Sequence, residues 1–147
     1  LEALQLLDAT YPDPKVRAYA VGCLSALPNI TLAKYILQLT QVLKFEPFHD
    51  SALARFLLQR SLVNPYHVGH VFFWYLKAEM HIPDARDRFG VLLEQYLRNC
   101  GEHRTALGHQ MFVQSKLEGA SLAVKECEKD QRREVVRKEV GRIVFPE

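Results

Sequence analysis

Apolar residues recur at three- and four-residue intervals along most of the chain, the spacing that lines one face of an α-helix. Val16, Tyr19, Ala20, Cys23, Leu24 and Leu27 form a first stripe. Leu32, Tyr35, Ile36, Leu39, Val42 and Leu43 form a second, closed by Phe45-Glu46-Pro47. Leu53, Phe56, Leu57 and Leu62 mark a third helix, which Asn64-Pro65 ends. Val68 to Met80 is apolar on most sides around Phe72, Phe73 and Trp74, which predicts a central helix with Trp74 in the core. Phe89, Leu92, Leu93, Tyr96 and Leu97 make a fifth, ending near Cys100-Gly101. Helix is expected again from Glu102 to about Glu139, in two pieces if Gly119 breaks it. Leu1, Leu4 and Leu7 read as the last turns of a further helix. No strand-length alternation and no Asn-Gly or Asp-Gly hairpin turn occurs, so the expected class is all-α.

A repeat underlies these helices. Pro12, Pro47 and Pro83 lie 35 and 36 residues apart, followed by the acids Asp13, Asp50 and Asp84 and then by Arg17, Arg55 and Arg88. Proline stops the incoming chain from continuing as a helix. An aspartate next to it can accept from the free N–H groups of the following helix as an N-cap, a contribution of about 1 kcal/mol. Pro14 suits the first turn, where its missing N–H costs little. Each arginine falls about one turn into its helix, within reach of the cap aspartate of its own or a neighbouring repeat. Helix pairs repeating at this period predict a HEAT-like or armadillo-like superhelix, each unit burying its face against the next.

The chain has 147 residues, of which 48% are apolar and 24% charged, enough for about one domain with one core and too ordinary for disorder. Its longest apolar run, Val71 to Leu76, is far short of a bilayer span. The net charge is +2, and the stretch from Lys125 to Arg142 carries all of it, with seven basic and five acidic residues. That mixture predicts a solvated helix with Glu128/Arg132 and Glu134/Lys138 as i,i+4 pairs, and it is more acidic than a polybasic membrane patch. Without a basic stripe, no nucleic-acid partner is expected. Three cysteines without metal-type spacing read as free thiols of a cytoplasmic protein. The sequence Asn29-Ile30-Thr31 matches a glycosylation acceptor but has no secretory context.

Candidate chemistry is sparse. His67 and His70 share a helical face, yet no further ligand completes a zinc spacing. Glu46 and Asp50 could be posed as an acid/base pair, but their places beside a turn favour capping. Cys100 and His103 lack an orienting partner and an oxyanion hole. The aromatic run from Phe72 to Tyr75 fits core packing better than base stacking, because no basic groove surrounds it. Val124, Val135, Val140 and Ile143 do not keep a heptad.

The strings YPDPKVRAYAV (11–21), QLTQVLKFEPFHDSALARFLL (38–58), GHVFFWYLKAEMH (69–81) and RFGVLLEQYLR (88–98) resemble the helical, or accessory, domain of phosphoinositide 3-kinase catalytic subunits, class I most of all. The resemblance runs from Leu1 to about Cys100 and fades beyond Leu107; Asn64-Pro65-Tyr66-His67-Val68-Gly69 departs from the class I pattern, which implies a reshaped turn. It implies an N-terminally truncated helical scaffold over 1–124, and over 125–147 a charged final helix and linker towards a kinase domain outside the chain. The implied parent transfers the γ-phosphoryl of ATP, with magnesium, to the inositol 3-hydroxyl of a membrane phosphoinositide. Neither a Gly-rich phosphate loop nor an Asp-Phe-Gly metal motif is present here, so no catalytic, cofactor-binding or metal residue is assigned. The partners implied are the parent's kinase and lipid-binding domains and a regulatory subunit, with membranes reached only through the parent. The structural residues are Pro12, Asp13, Arg17, Pro47, Asp50, Arg55, Trp74, Pro83, Asp84 and Arg88. The alternative is a free-standing HEAT-like adaptor that binds a partner peptide.

Overall fold

The computed structural model describes residues 2–144. It is helical throughout, and no strand occurs among the described residues. The chain divides into two compact units, residues 1–101 and 102–147.

The first unit contains α1 (Glu2–Gln5), α2 (Pro14–Ser25), α3 (Asn29–Ala33), α4 (Ile36–Val42), α5 (Ala52–Val63), α6 (His70–Ala78) and α7 (Pro83–Asn99). A 3₁₀ turn, Leu43–Phe45, follows α4, and a π-helical turn, Pro65–Gly69, leads into α6. Helix α2 packs on α5 and α5 on α7, while α4 packs on α6 and α6 on α7. Leu32, Ile36, Leu39, Leu43, Leu57, Phe72, Leu76 and Phe89 are fully enclosed between them. Gly101, at φ 57, closes α7 with the left-handed residue that commonly follows a helix.

Several expectations change here. The expected stripe of α2 is rotated: Arg17, Ala20, Val21 and Leu24 are buried, whereas Tyr19 and Cys23 face outward. The single helix expected over 32–43 is two, because i→i+3 bonds from the Lys34 and Tyr35 N–H groups tighten the chain at Tyr35. Trp74 is half-buried and lies outside the core cluster; Phe72, Phe73 and Leu76 take the interior face of α6, and Phe73 meets the Trp74 ring edge-on at 5.3 Å.

The capping pattern is also redistributed. Asp13 caps α2, its carboxylate accepting from the N–H groups of Lys15 at 2.7 Å and Val16 at 3.3 Å. Asp50 does not cap α5. Ser51 does, because its extended backbone brings the hydroxyl to the Ala54 N–H at 3.2 Å. Pro83 is the first residue of α7, which puts Asp84 inside the first turn, where its charge suits the helix dipole.

The second unit is the long α8 (His103–Glu126) followed by α9 (Arg132–Gly141), which pack on one another. Helix α8 runs unbroken through Gly119 and through the expected boundary at 124/125. A glycine inside a helix costs about 1 kcal/mol, too little to break one of this length. Glu128 falls in the loop before α9, so it has no i,i+4 partner, and Glu134 and Lys138 do not pair. Glu139 of this helix pairs with Arg142, its C-cap residue, at 3.2 Å.

Candidate functional site

Arginine is almost never buried unless paired, so a buried Arg17 requires a partner. Its guanidinium donates from Nε at 2.9 Å and from one terminal nitrogen at 2.6 Å to Oε1 of Glu46, 29 residues away. The other terminal nitrogen donates to the carbonyl oxygens of Asp8 and Tyr11, at 3.1 and 3.2 Å. Arg17 and Glu46 side chains are each only 4% exposed. One residue of α2 thereby fixes the α1–α2 connection and the turn after α4.

Arg88 approaches the same turn from α7, donating to the Leu43 carbonyl oxygen, and the Glu46 charge acts on it. Burial lowers the proton affinity of Arg88, which the Glu46 carboxylate partly offsets. The Glu46 carboxylate thus pairs with the guanidinium from α2 and also acts on the one from α7. A third arginine, Arg60 of α5, donates to the carbonyl oxygens of Ser25 (3.0 Å) and Leu27 (2.6 Å) and to Asn29 Oδ1 (3.0 and 2.6 Å). It binds the junction of α2 and α3, where the last carbonyls of a helix lack partners and a cation is favoured.

A fourth link joins the 3₁₀ turn to the end of α6. Glu79 accepts from Lys44 Nζ at 2.7 Å and from Gln41 Nε2 at 2.8 Å. These two donors, Lys44 foremost, hold the Glu79 carboxyl below its ordinary value.

The π-helical turn is set by close packing. A Cβ on Gly69 would lie 2.7 Å from the Ser61 carbonyl oxygen and nearer still to the Tyr96 hydroxyl, so only glycine fits. Asn64 accepts from the His67 N–H at 3.3 Å at the start of the turn. Burial pushes the Tyr96 hydroxyl well above its ordinary value.

The expected residues thus separate. Arg17 and Arg88 converge on one turn, whereas Arg55 pairs with Asp50 on the surface. That pairing holds the Asp50 carboxyl below its ordinary value. Glu46 and Asp50 belong to separate pairs, one buried and one exposed, and do not form an acid/base couple. Pro12 and Pro47 are exposed residues of the connections before α2 and α5. Sequence reasoning missed Glu46 as the partner of Arg17, and missed Arg60 and Gly69. The signal for Glu46 is the burial of Arg17, which demands a carboxylate somewhere, and it becomes visible only once the stripe of α2 is seen rotated onto the arginine. Among the described residues no group of three or more His, Cys, Asp or Glu is arranged to hold a metal ion. The arrangement binds helices to one another, with carboxylates neutralised by cations.

A family model described as "Phosphoinositide 3-kinase family, accessory domain (PIK domain)" matches residues 1–109. The chain belongs to the phosphoinositide 3-kinase accessory-domain family. The buried Arg17–Glu46 pair, the Arg88 contact and the Arg60 junction all lie inside the matched part of this accessory domain. It is 46% identical over 145 residues to phosphatidylinositol 3-kinase 1 of Dictyostelium discoideum, a match covering 99% of the chain and 9% of the relative. With phosphatidylinositol 3-kinase 2 of the same organism it shares 42% over 148 residues, covering 100% of the chain and 8% of the relative. The chain thus spans less than a tenth of the length of these relatives. The match to the accessory-domain model ends at residue 109, close to Leu107 where the resemblance fades, while the relatives align with α8 and α9 as well.

Proposed function

We propose that the chain is the structural scaffold of a phosphatidylinositol 3-kinase, holding the parent's kinase, lipid-binding and regulator-binding modules in register. The observation that carries this reading is the end-to-end match to phosphatidylinositol 3-kinases many times longer than the chain. The order of packing, α2 on α5 on α7 with α4 and α6 alongside, supports a HEAT-like stack of helix pairs as its architecture. The arginine links suit a rigid frame, because each ties a helix to a turn far away in sequence.

In this reading the parent phosphorylates the inositol 3-hydroxyl of membrane phosphoinositides, and ATP and magnesium belong to its kinase domain. No residue of this chain is assigned to either, and the chain performs no catalysis itself. The parent works in the cytoplasm and is recruited to membranes, with a regulatory subunit as a further partner. Among the described residues no helix is long and apolar enough to cross a membrane, which fits peripheral recruitment. The adaptor alternative gains nothing from relatives of this length.

The test is a lipid kinase assay on phosphoinositide vesicles with ATP and magnesium, run on the full-length parent and on the 147-residue chain. The expected result is a 3-phosphorylated lipid from the parent and none from the chain. Product from the chain, or a parent without lipid kinase activity, would overturn the reading.

A further inference from the structure

Taken as one stretch, Lys125–Arg142 is nearly balanced in charge, which argues against a membrane patch. The structure divides that stretch unevenly. Glu126 ends α8, and Glu128 and Asp130 lie in the loop, so three of its five acids fall before α9. From Arg132 to Arg142 there remain five basic residues, Arg132, Arg133, Arg137, Lys138 and Arg142, against Glu134 and Glu139. All five are exposed, and Arg142 already neutralises Glu139.

The apolar residues of this segment are also placed unevenly. Val135 and Ile143 are partly buried, whereas Val136 and Val140 remain 43% and 44% exposed and Val144 is 80% exposed. Residues three and four apart share a helical face. Arg132 and Arg133 therefore stand beside Val136, and Arg137 stands beside Val140. None of these three arginines is in an ion pair among the described residues. Of the two acids of α9, Glu139 is paired with Arg142, and Glu134 lines an open surface depression together with Asp130, Arg133 and Arg137. Between the valines and α8 lies an open groove of about 300 Å³, also lined by Leu117, Ala120 and Val124.

We propose that this exposed face of α9 is a peripheral membrane contact that lays Val136 and Val140, with Val144 just past the helix end, against an anionic bilayer while Arg132, Arg133 and Arg137 meet its headgroups. A basic helix with a short apolar face is the form that binds in the interfacial plane without spanning it. Charge complementarity selects the occupant, because five basic residues against two acids from Arg132 to Arg142, next to small exposed apolar residues, match a negatively charged surface better than a neutral one. Each basic residue near such a surface is worth about fivefold in binding. The valines add the apolar burial that keeps the contact from being purely electrostatic. The proposal stands apart from the lipid-kinase reading, since its test uses neither ATP nor the parent.

The test is co-sedimentation of the 147-residue chain with vesicles of phosphatidylcholine alone and with about 30% phosphatidylserine. Binding should be confined to the anionic vesicles. It should fall when ionic strength rises from about 0.1 M to about 1 M, where the screening length shrinks from about 10 Å to about 3 Å. Arg133→Glu with Arg137→Glu should weaken binding at least tenfold. Lys15→Glu with Lys34→Glu, an equal charge change in the first unit, should leave it within about twofold. Circular dichroism checks that each variant is folded; Arg133→Gln with Arg137→Gln replaces the double reversal if that one is not. Equal loss from both pairs would overturn the proposal by reducing it to net charge. Failure to bind anionic vesicles would also overturn it and leave the face to an acidic protein partner.

Discussion

Glu46→Ala removes the acceptor of two charge-assisted hydrogen bonds and strands Arg17 in a site where its side chain is only 4% exposed. Hydrogen bonds to charged groups are worth about 1.5–3 kcal/mol each. Both end on Oε1, so they do not add fully. Arg17 also keeps the carbonyls of Asp8 and Tyr11, while Arg88 keeps that of Leu43. The expected cost is therefore about 3–5 kcal/mol, the range for breaking a buried ion pair from one side. At about 3 °C per kcal/mol for a chain near this size, the first unit should melt roughly 10 °C lower. The assay is thermal unfolding followed by circular dichroism, with urea unfolding to confirm that the slope is unchanged. Arg17→Met with Glu46→Leu should recover most of the loss, since replacing both charges by apolar groups leaves nothing stranded. A single variant that melts within about 2 °C of the parent chain would refute the reasoning, as would a double variant no better than the single.

Ser51→Ala should cost about 1 kcal/mol as the loss of the α5 cap, whereas Asp50→Ala, which removes only an exposed pair, should leave the melting temperature unchanged; the reverse order would return the cap to Asp50. Gly69→Ala should destabilise by about 2–3 kcal/mol through overpacking against Tyr96 and the Ser61 carbonyl, read from the urea midpoint. Glu79 has a folded-state value depressed by Lys44 and Gln41, so its stabilisation is present above the unfolded value of about 4.3 and is lost as pH falls through the folded value. Glu79→Gln should therefore flatten the acid limb of a stability–pH curve below about pH 4 while lowering stability at neutral pH.

Helix positions were legible because their signals are local. Asn64-Pro65 and Cys100-Gly101 end α5 and α7 where turn chemistry places the ends, and Asp13 caps α2 through donors two and three residues away. What was not legible depends on the neighbouring helices. Tyr19 and Arg17 both fall on plausible faces of α2, and only a carboxylate arriving from residue 46 makes the arginine the buried one. Trp74 carries the largest apolar ring of α6, yet the narrower Phe72, Phe73 and Leu76 fill the interior. Asp50 and Ser51 are adjacent residues that can both cap, and the backbone at Ser51 decides between them. The basic excess of α9 is masked in the sequence by the loop acids Glu128 and Asp130 just before it.

The central claim is that this accessory domain is a frame against which other modules of a longer lipid kinase are packed. Hydrogen exchange tests it most directly, by comparing amide protection in the 147-residue chain with the same residues in the full-length parent. The account predicts that core amides of α5 and α6 exchange alike in both, while one contiguous exposed face is slowed in the parent. Identical exchange over every exposed face would mean that nothing packs on the domain, and the scaffold account would be wrong.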